Sequence, residues 1–475
     1  MVENNFLNFP NKLSNAKFTS VTGYTETLKA LSKVIYPRNI KDCINLIQDA
    51  KSNGLTICPR GKGYTYGDMI INSNEIILDT SLMKNIVAWD KRKGVITVQP
   101  GVTFAEIFKI TLLDNWTLSS CPGGLDITVG GSISNNVHGK DTWKRGNFGE
   151  QVLSLKMINA EGKIIEIKKG SNDLFLSVIG GMGLLGIIIE AKLKLFKIPS
   201  PYVEIKNISS KNITETIEIL EKEKNSSDFS VAWVDCFSRN NIGRGYVSLA
   251  KWIQTDKTVN NEILNQSVTK NKRIFNIIPS KPFWFFARPF FRPFNIRILN
   301  SINYFYHSKF TSKKNINIDL FTNYNFMHNK IPDIREVYRP YGFLEFQPII
   351  PFACSIKNIT EIIKISQKYN CESLLCGMKF HKKDDFYLSY SCDGISLGID
   401  IQLAGRKQEI VKKFYNELFD YTSDVDGKIY LAKDEKLDCT YFKKMFPKYK
   451  KFLSTKNDVD PNCLFSSNMY KRLFS

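Results

Sequence analysis

Apolar positions along this chain recur with two periods. Ile40, Cys43, Ile44, Ile47 and Ala50 fall at helical spacing. Asn39 offers a cap with Asp42 three residues on, and Gly54 stops the run. Leu55 to Cys58 then reads as a strand, as do Ile76 to Asp79 and Gly94 to Val98. Pro100-Gly101-Val102 leads into a helix beginning near Phe104. Ile189, Ala191, Leu193 and Leu195 alternate with Glu190, Lys192 and Lys194, which predicts a half-buried strand. After Pro199-Ser200-Pro201, a natural linker, helices are predicted over 213–224 and 359–369. Strands are predicted over 229–234, 342–350 and 394–403. Intermixed helices and strands predict an α+β chain, with a first unit over about 18–197 and a second over about 200–420.

Three glycine-rich segments interrupt the first unit. Ser120 to Asp141 reads SCPGGLDITVGGSISNNVHGKD and ends near His138, one of four histidines. Pro59 to Asp68 reads PRGKGYTYGD, and Gly180 to Leu195 opens GGMGLLG. Such loops bring backbone N–H groups close to an anion such as a pyrophosphate. They also serve as tight turns between strands, and each segment alone fits either reading. The second lacks the helix that opens a dinucleotide fingerprint and the Lys-Ser/Thr of a Walker loop.

Composition narrows the partners. Lys+Arg number 66 against 46 Asp+Glu, a formal net charge of +20. Nucleic acid, an anionic membrane surface or phosphorylated substrates would each suit it, as would the Asn/Ile/Lys bias of an AT-rich genome, since the lysines are spread. Ten cysteines show no Cys-x-x-Cys and no zinc spacing, so they read as reduced, buried small hydrophobes and no metal is expected. Met1 to Lys17 has no apolar core of a secretory signal, and no run of about 18 apolar residues spans a bilayer. Pro282 to Phe310 is unusual: PFWFFARPFFRPFN packs seven aromatics with Arg288, Arg292 and three prolines. Proline at that density predicts an irregular segment, either an aromatic patch under a loop or a membrane–water contact.

Taken together, the three glycine segments resemble, in order and separation, the flavin-binding domain of the vanillyl-alcohol oxidase / p-cresol methylhydroxylase superfamily. The likeness is strongest to its branch acting on polyprenyl-phosphoryl sugars. Gly61-Lys62-Gly63-Tyr64-Thr65-Tyr66-Gly67-Asp68 is similar to its G-x-G-x-S-Y-G-D loop. Ile127 to Ile133 with His138-Gly139-Lys140 resembles its V-T-V-G-G-x-I…H-G-K segment, and Gly181 to Ile188 its G-x-G-L-x-G-I-I segment. Ala232 to Asp235, Gly243-Arg244, Tyr430 to Asp434, and Asp460-Pro461 with Phe465 to Met469 extend the resemblance over nearly the whole chain.

The resemblance implies a two-subdomain FAD-binding PCMH-type domain over 18–197. It implies an α+β substrate (cap) domain with an antiparallel sheet over 198–420, carrying a mobile aromatic and basic loop at 282–310. Residues 421–475 would return to the FAD domain. Cofactor contacts would come from Arg60, Gly61, Gly63, Tyr64, Thr65, Tyr66, Gly67 and Asp68, then from Pro122, Gly123, Gly124, Thr128, Gly130, Gly131, Ser134, Asn135, Val137, His138 and Gly139. Gly183, Gly186, Ile187, Ile188 and Lys433 would complete the set. Lys433 falls on an essential-lysine position and is the expected catalytic residue; Lys379, Gln347, Lys140 and Tyr66 would face substrate. Tyr64 stands where many members tether the flavin to a histidine, so the FAD is expected to be non-covalent. Glu345 replaces a family glutamine, and Gly398 a cysteine. The implied reaction is FAD-dependent oxidation of a secondary hydroxyl of a (poly)prenyl-phosphoryl or related sugar to the keto sugar. It would be the first half of an epimerisation in cell-envelope polysaccharide synthesis, which a short-chain reductase partner completes. An aldonolactone or alditol oxidase acting on free sugars or polyols is the alternative; a binding protein that has lost catalysis is the rival of another class. The expected location is cytoplasmic, peripheral at the inner membrane face, with no nucleic-acid partner.

Overall fold

A computed structural model describes residues 10–474 apart from 171, 258, 270, 275–276 and 311–315; Met1 to Phe9, part of the segment read for a secretory signal, lie outside the described residues. The amino-terminal unit is built on two sheets. In the first, the strands run in the order Phe18–Thr22, Lys29–Ile35, Ile76–Asp79, Ile57–Arg60, with one antiparallel and two parallel pairings. Helix Ile40–Ser52 covers it. The Asn39 side chain caps the helix by accepting from Asp42 N, and Cys43, Leu46, Ile47 and Ala50 are buried against Ile35, Ile57 and Ile76.

The second sheet is antiparallel, in the order Ile86–Asp90, Val95–Val98, Ile187–Lys194, Val152–Ile158, Ile164–Lys168. Ala191 and Leu193 are buried while Lys192 and Lys194 are exposed, the alternation expected of a sheet with one wet face. Helix Phe104–Thr111 begins in a capping box formed by Thr103 and Glu106. The glycine-rich segment contains a short helix, Val129–Ser134, capped by Thr128.

A larger antiparallel sheet forms the second unit. Its central order is Tyr202–Ser210, Gly245–Trp252, Phe229–Val234, Cys376–His381, Gly394–Gln402, Pro348–Pro351. The single strand predicted over 342–350 is two, Phe343–Phe346 and Pro348–Pro351; both pair with Gly394–Gln402 and Gln347 lies between them. Helices Ile213–Glu223, Ser355–Lys368 and Gln408–Asp424 pack on one face of this sheet. Strand residues alternate sides. Met378, Leu397 and Ile399 therefore enter the core, while Gly377, Lys379, Ser396 and Gly398 face the other way, into a cavity.

Residues 282–310 depart from expectation. They form helices Ser280–Ala287 and Pro293–Phe310 around a 3-10 turn at Arg288–Phe290. Each proline sits in the first turn of its helix, where no intrahelical acceptor awaits its missing N–H. The cysteines also differ in part: six are buried and none is bridged, but Cys354 and Cys463 are exposed.

The carboxyl terminus packs on the amino-terminal unit. Ile57 N donates to Leu464 O (2.7 Å) and Ser466 N to Ile57 O (3.0 Å). The Lys456 ammonium is buried, donating to Asp460 (2.8 Å), Leu184 O (2.7 Å) and Phe465 O (2.8 Å).

Candidate functional site

A cavity of about 660 Å³ lies between the glycine-rich segments and the open face of the large sheet. That volume suits a cofactor-sized ligand, for which sites run to roughly 300–1,000 Å³. One wall is loop and helix start. Gly63 has φ +75°, and a side chain there would collide with the Arg60 guanidinium; a Cβ on Gly61 would strike the Thr128 hydroxyl. A side chain at Gly123 or Gly377 would meet nothing within 4 Å and would project into the cavity. The other wall repeats with period two across the strands: Asn207, Trp233, Tyr246, Glu345, Lys379 and Gly398 all line it.

Three lysines meet at this wall. Lys433 Nζ is 3.1 Å from Glu345 Oε2 and 3.4 Å from the centre of the Tyr66 ring, a cation–π distance. Burial holds the Lys433 ammonium below its ordinary pKa, with Glu345 pulling the other way. Lys379 is pushed down to about 8, chiefly by burial and then by the Lys433 charge. Lys140 is held well below its usual range by burial, and its Nζ donates to Tyr324 O at 2.7 Å. A Cβ on Gly398 would lie 3.2 Å from Glu345 Oε1, so the glycine leaves the carboxylate its room.

His138 is buried and neutral, its pKa pushed well down by burial and then by Lys379. Its Nε2 lies 2.9 Å from Gln347 Nε2; the amide donates, so the ring proton sits on Nδ1. Among the described residues His138 Nδ1 and Asn135 Oδ1 are buried polar atoms with no hydrogen-bond partner, and buried Arg60 Nε has only a 3.9 Å ion pair with Asp79; all three residues line the cavity. Buried polar atoms are ordinarily paired. An unpartnered donor, an unpartnered acceptor and a loosely paired guanidinium along a glycine-walled cleft fit a long polar ligand such as FAD. The Arg60 guanidinium would meet its anionic part and the backbone of Gly61 to Thr65 its phosphates.

Of the residues expected from sequence to contact the cofactor or substrate, four do not reach the wall. Gly67 packs on the Asp434–Glu435 backbone. Asp68 is held by Arg472 (2.8 Å), which also binds Asp434 (3.1 Å). Gly139 is pressed against Asp141 and Ser120. Ile187 points into the core while Ile188 faces the cavity. The others, from Arg60, Gly61, Gly63, Tyr64, Thr65 and Tyr66 through Pro122, Gly123, Gly124, Thr128, Gly130, Gly131, Ser134, Asn135, Val137 and His138 to Gly183, Gly186 and Ile188, lie on it. So do Lys140, Gln347, Lys379 and Lys433. Tyr64 donates to Asp126 Oδ2 at 3.3 Å. Sequence reading missed Tyr430, whose hydroxyl donates to Asn135 O (3.3 Å) and whose ring packs on Tyr390 at 4.1 Å, and also Trp233, Tyr246 and Asn325. Trp233 and Tyr246 carry the alternation of their strands, and Tyr430 opens the segment around Lys433 that carries the resemblance; Asn325 carries no local signal.

Comparison with known proteins gives the same picture. Residues 31–168 match the FAD binding domain family, and residues 329–473 match D-arabinono-1,4-lactone oxidase. The chain is 24% identical over 487 residues to decaprenylphosphoryl-beta-D-ribose oxidase of Mycolicibacterium smegmatis, covering 97% of this chain and 99% of that protein. It is 29% identical over 169 residues to cytokinin dehydrogenase 2 of Arabidopsis thaliana (35% of this chain, 34% of that protein). It is also 29% identical over 171 residues to the mitochondrial D-lactate dehydrogenase [cytochrome] of Kluyveromyces lactis (34% and 30%).

Proposed function

We propose that this FAD-dependent oxidoreductase of the PCMH-type flavoprotein group oxidises a secondary hydroxyl of a polyprenyl-phosphoryl or related sugar to the keto sugar. The observation that carries the reading is the Lys379, Lys433 and Glu345 cluster on a wall facing the glycine-rich segments. Bound FAD, held without a covalent tether, supplies the hydride acceptor. Lys433 is assigned to take the hydroxyl proton: it lies on the cavity wall, and burial lowers its pKa while Glu345 raises it. Glu345, 3.1 Å away, stabilises the ammonium that results. Lys379 makes no hydrogen bond or ion pair among the described residues and is a cation below pH about 8; it binds the phosphoryl group. Gln347 and His138 hold one another and orient the sugar hydroxyls. The ketone product calls for a separate reductase of the short-chain type to return the epimeric alcohol.

The match of residues 329–473 to D-arabinono-1,4-lactone oxidase favours a second reading, oxidation of a free aldonolactone or polyol. Flavin absorbance separates the two. Anaerobic bleaching by a polyprenyl-phosphoryl pentose, with no bleaching by aldonolactones or alditols, is the expected result. Bleaching by the free polyols alone overturns the main reading.

A further inference from the structure

Helix Pro293–Phe310 is attached by one face only. On that face Ile296 is buried, Asn300 donates to Asp235 (3.1 Å), and the His307 ring stacks on Tyr246 at 3.8 Å. Phe294, Ile302 and Phe305, on the opposite face, are 72, 59 and 56% exposed. Helix Ser280–Ala287 is fixed by Trp284, which donates to Pro332 O at 2.7 Å, while Phe286 beside it is 71% exposed. Surface helices ordinarily turn such residues inward. Here the polar anchors point inward and a contiguous apolar face points out, more than a scatter of single exposed residues.

The formal charge carried by this stretch itself has one sign. Between Glu262 and Asp319 there is no Asp or Glu, whereas the same stretch holds ten Lys and Arg. Lys281, Arg292, Arg297 and Lys309 are exposed among the rings. A second copy of the chain would set this cationic face against its own image, with no carboxylate to pair it. An anionic headgroup layer supplies the missing charge, takes the rings at its apolar boundary, and needs no spanning segment. Among the described residues no helix is long and apolar enough to cross a membrane.

We propose that the face formed by Phe286, Phe294, Ile302 and Phe305 with Arg292 and Lys309 docks this protein on an anionic lipid bilayer. The helix that carries the docking face is one ring from the cavity on its attached side, because Tyr246 both stacks on His307 and lines the wall beside Trp233. A substrate with its tail in the bilayer would enter there, a step that rests on the lipid-linked reading; the docking itself does not.

The test uses the full FAD-loaded chain sedimented with phosphatidylglycerol–phosphatidylcholine vesicles or with phosphatidylcholine alone. Binding is expected on the anionic vesicles, weaker on the neutral ones and in high salt. Phe286→Ser with Phe294→Ser, and separately Arg292→Glu with Lys309→Glu, should each lower the partition coefficient about tenfold or more. Circular dichroism and the flavin spectrum should remain those of the parent. Parent protein that stays in the supernatant with anionic vesicles, or paired variants that sediment as well as the parent, overturns the proposal. So does a dimer in vesicle-free solution that the phenylalanine variants abolish, since a second copy would then occupy the face. Sedimentation reads no turnover, so vesicle binding by a chain that no lipid-linked sugar bleaches supports docking while overturning the substrate reading.

Discussion

Glu345→Gln tests the proposed role of Lys433 most directly. The substitution keeps the shape and an acceptor oxygen but removes the charge 3.1 Å from Lys433 Nζ. The variant leaves the ammonium a hydrogen bond to a neutral oxygen but removes the opposite charge, and a bond with an ionised acceptor is roughly twice as strong as one without, within the about 1.5–3 kcal/mol of charged hydrogen bonds. The ammonium therefore loses roughly 1–2 kcal/mol of stabilisation, a five- to thirtyfold shift of its protonation equilibrium toward the neutral amine. The sign follows: Glu345 raises the Lys433 pKa against the lowering by burial, so removing it lowers that pKa. If Lys433 accepts the hydroxyl proton, more of it is competent at a given acid pH. The acid limb of the rate of flavin bleaching then moves to lower pH, while the plateau rate falls because the protonated product state has lost its partner. Stopped-flow absorbance across a pH series reads both. An acid limb that does not move refutes the coupling; a rate that falls equally at every pH shows that Lys433 acts as a fixed cation. Gly398→Cys alone should also slow bleaching, because its Cβ would press on Glu345 Oε1, and the loss should be smaller when it is combined with Glu345→Gln.

Lys433→Ala should retain FAD and show no bleaching by substrate; normal turnover would remove Lys433 from the reaction. Raising pH through about 8 discharges Lys379, so KM for a phosphoryl substrate should rise above that pH and Lys379→Met should abolish the dependence, as steady-state kinetics would show. Lys456→Met strands the buried Asp460 carboxylate and should cost about 3–5 kcal/mol, with Lys456→Met/Asp460→Asn recovering part of it. Denaturant unfolding followed by flavin fluorescence checks this, and a loss under about 1 kcal/mol would contradict the burial argument.

What the sequence made legible was local. Asn39 with Asp42 and the run from Ile40 to Ala50 define a helix without help from elsewhere, and Phe229–Val234 falls where its pattern puts it. The glycine segments were legible as a cofactor wall because few other residue types permit that backbone. Two things were not. The prolines of 282–310 were read as helix breakers, whereas each occupies a first turn; position within a turn decides which rule applies, and density alone does not give it.

The second is facing. A motif supplies consecutive positions, but extended backbone turns neighbours to opposite sides, so Ile188 reaches the cavity and Ile187 the core although both belong to one motif. Asp68 fell to Arg472 by the same logic, through a partner 404 residues away that no local window contains. Glu345 shows the converse. Its strand puts it on the same side as Gln347, a relation readable from spacing. Its meaning depends on Lys433, 88 residues on, and on the space left by Gly398 in the neighbouring strand. Residue types at this site are therefore legible one by one, while the chemistry resides in pairs that only the folded sheet brings within 3–4 Å. The Glu345–Gly398 pair shows this most plainly, since a Cβ at 398 would stand 3.2 Å from the carboxylate that holds Lys433, a relation between two strands that no local window contains.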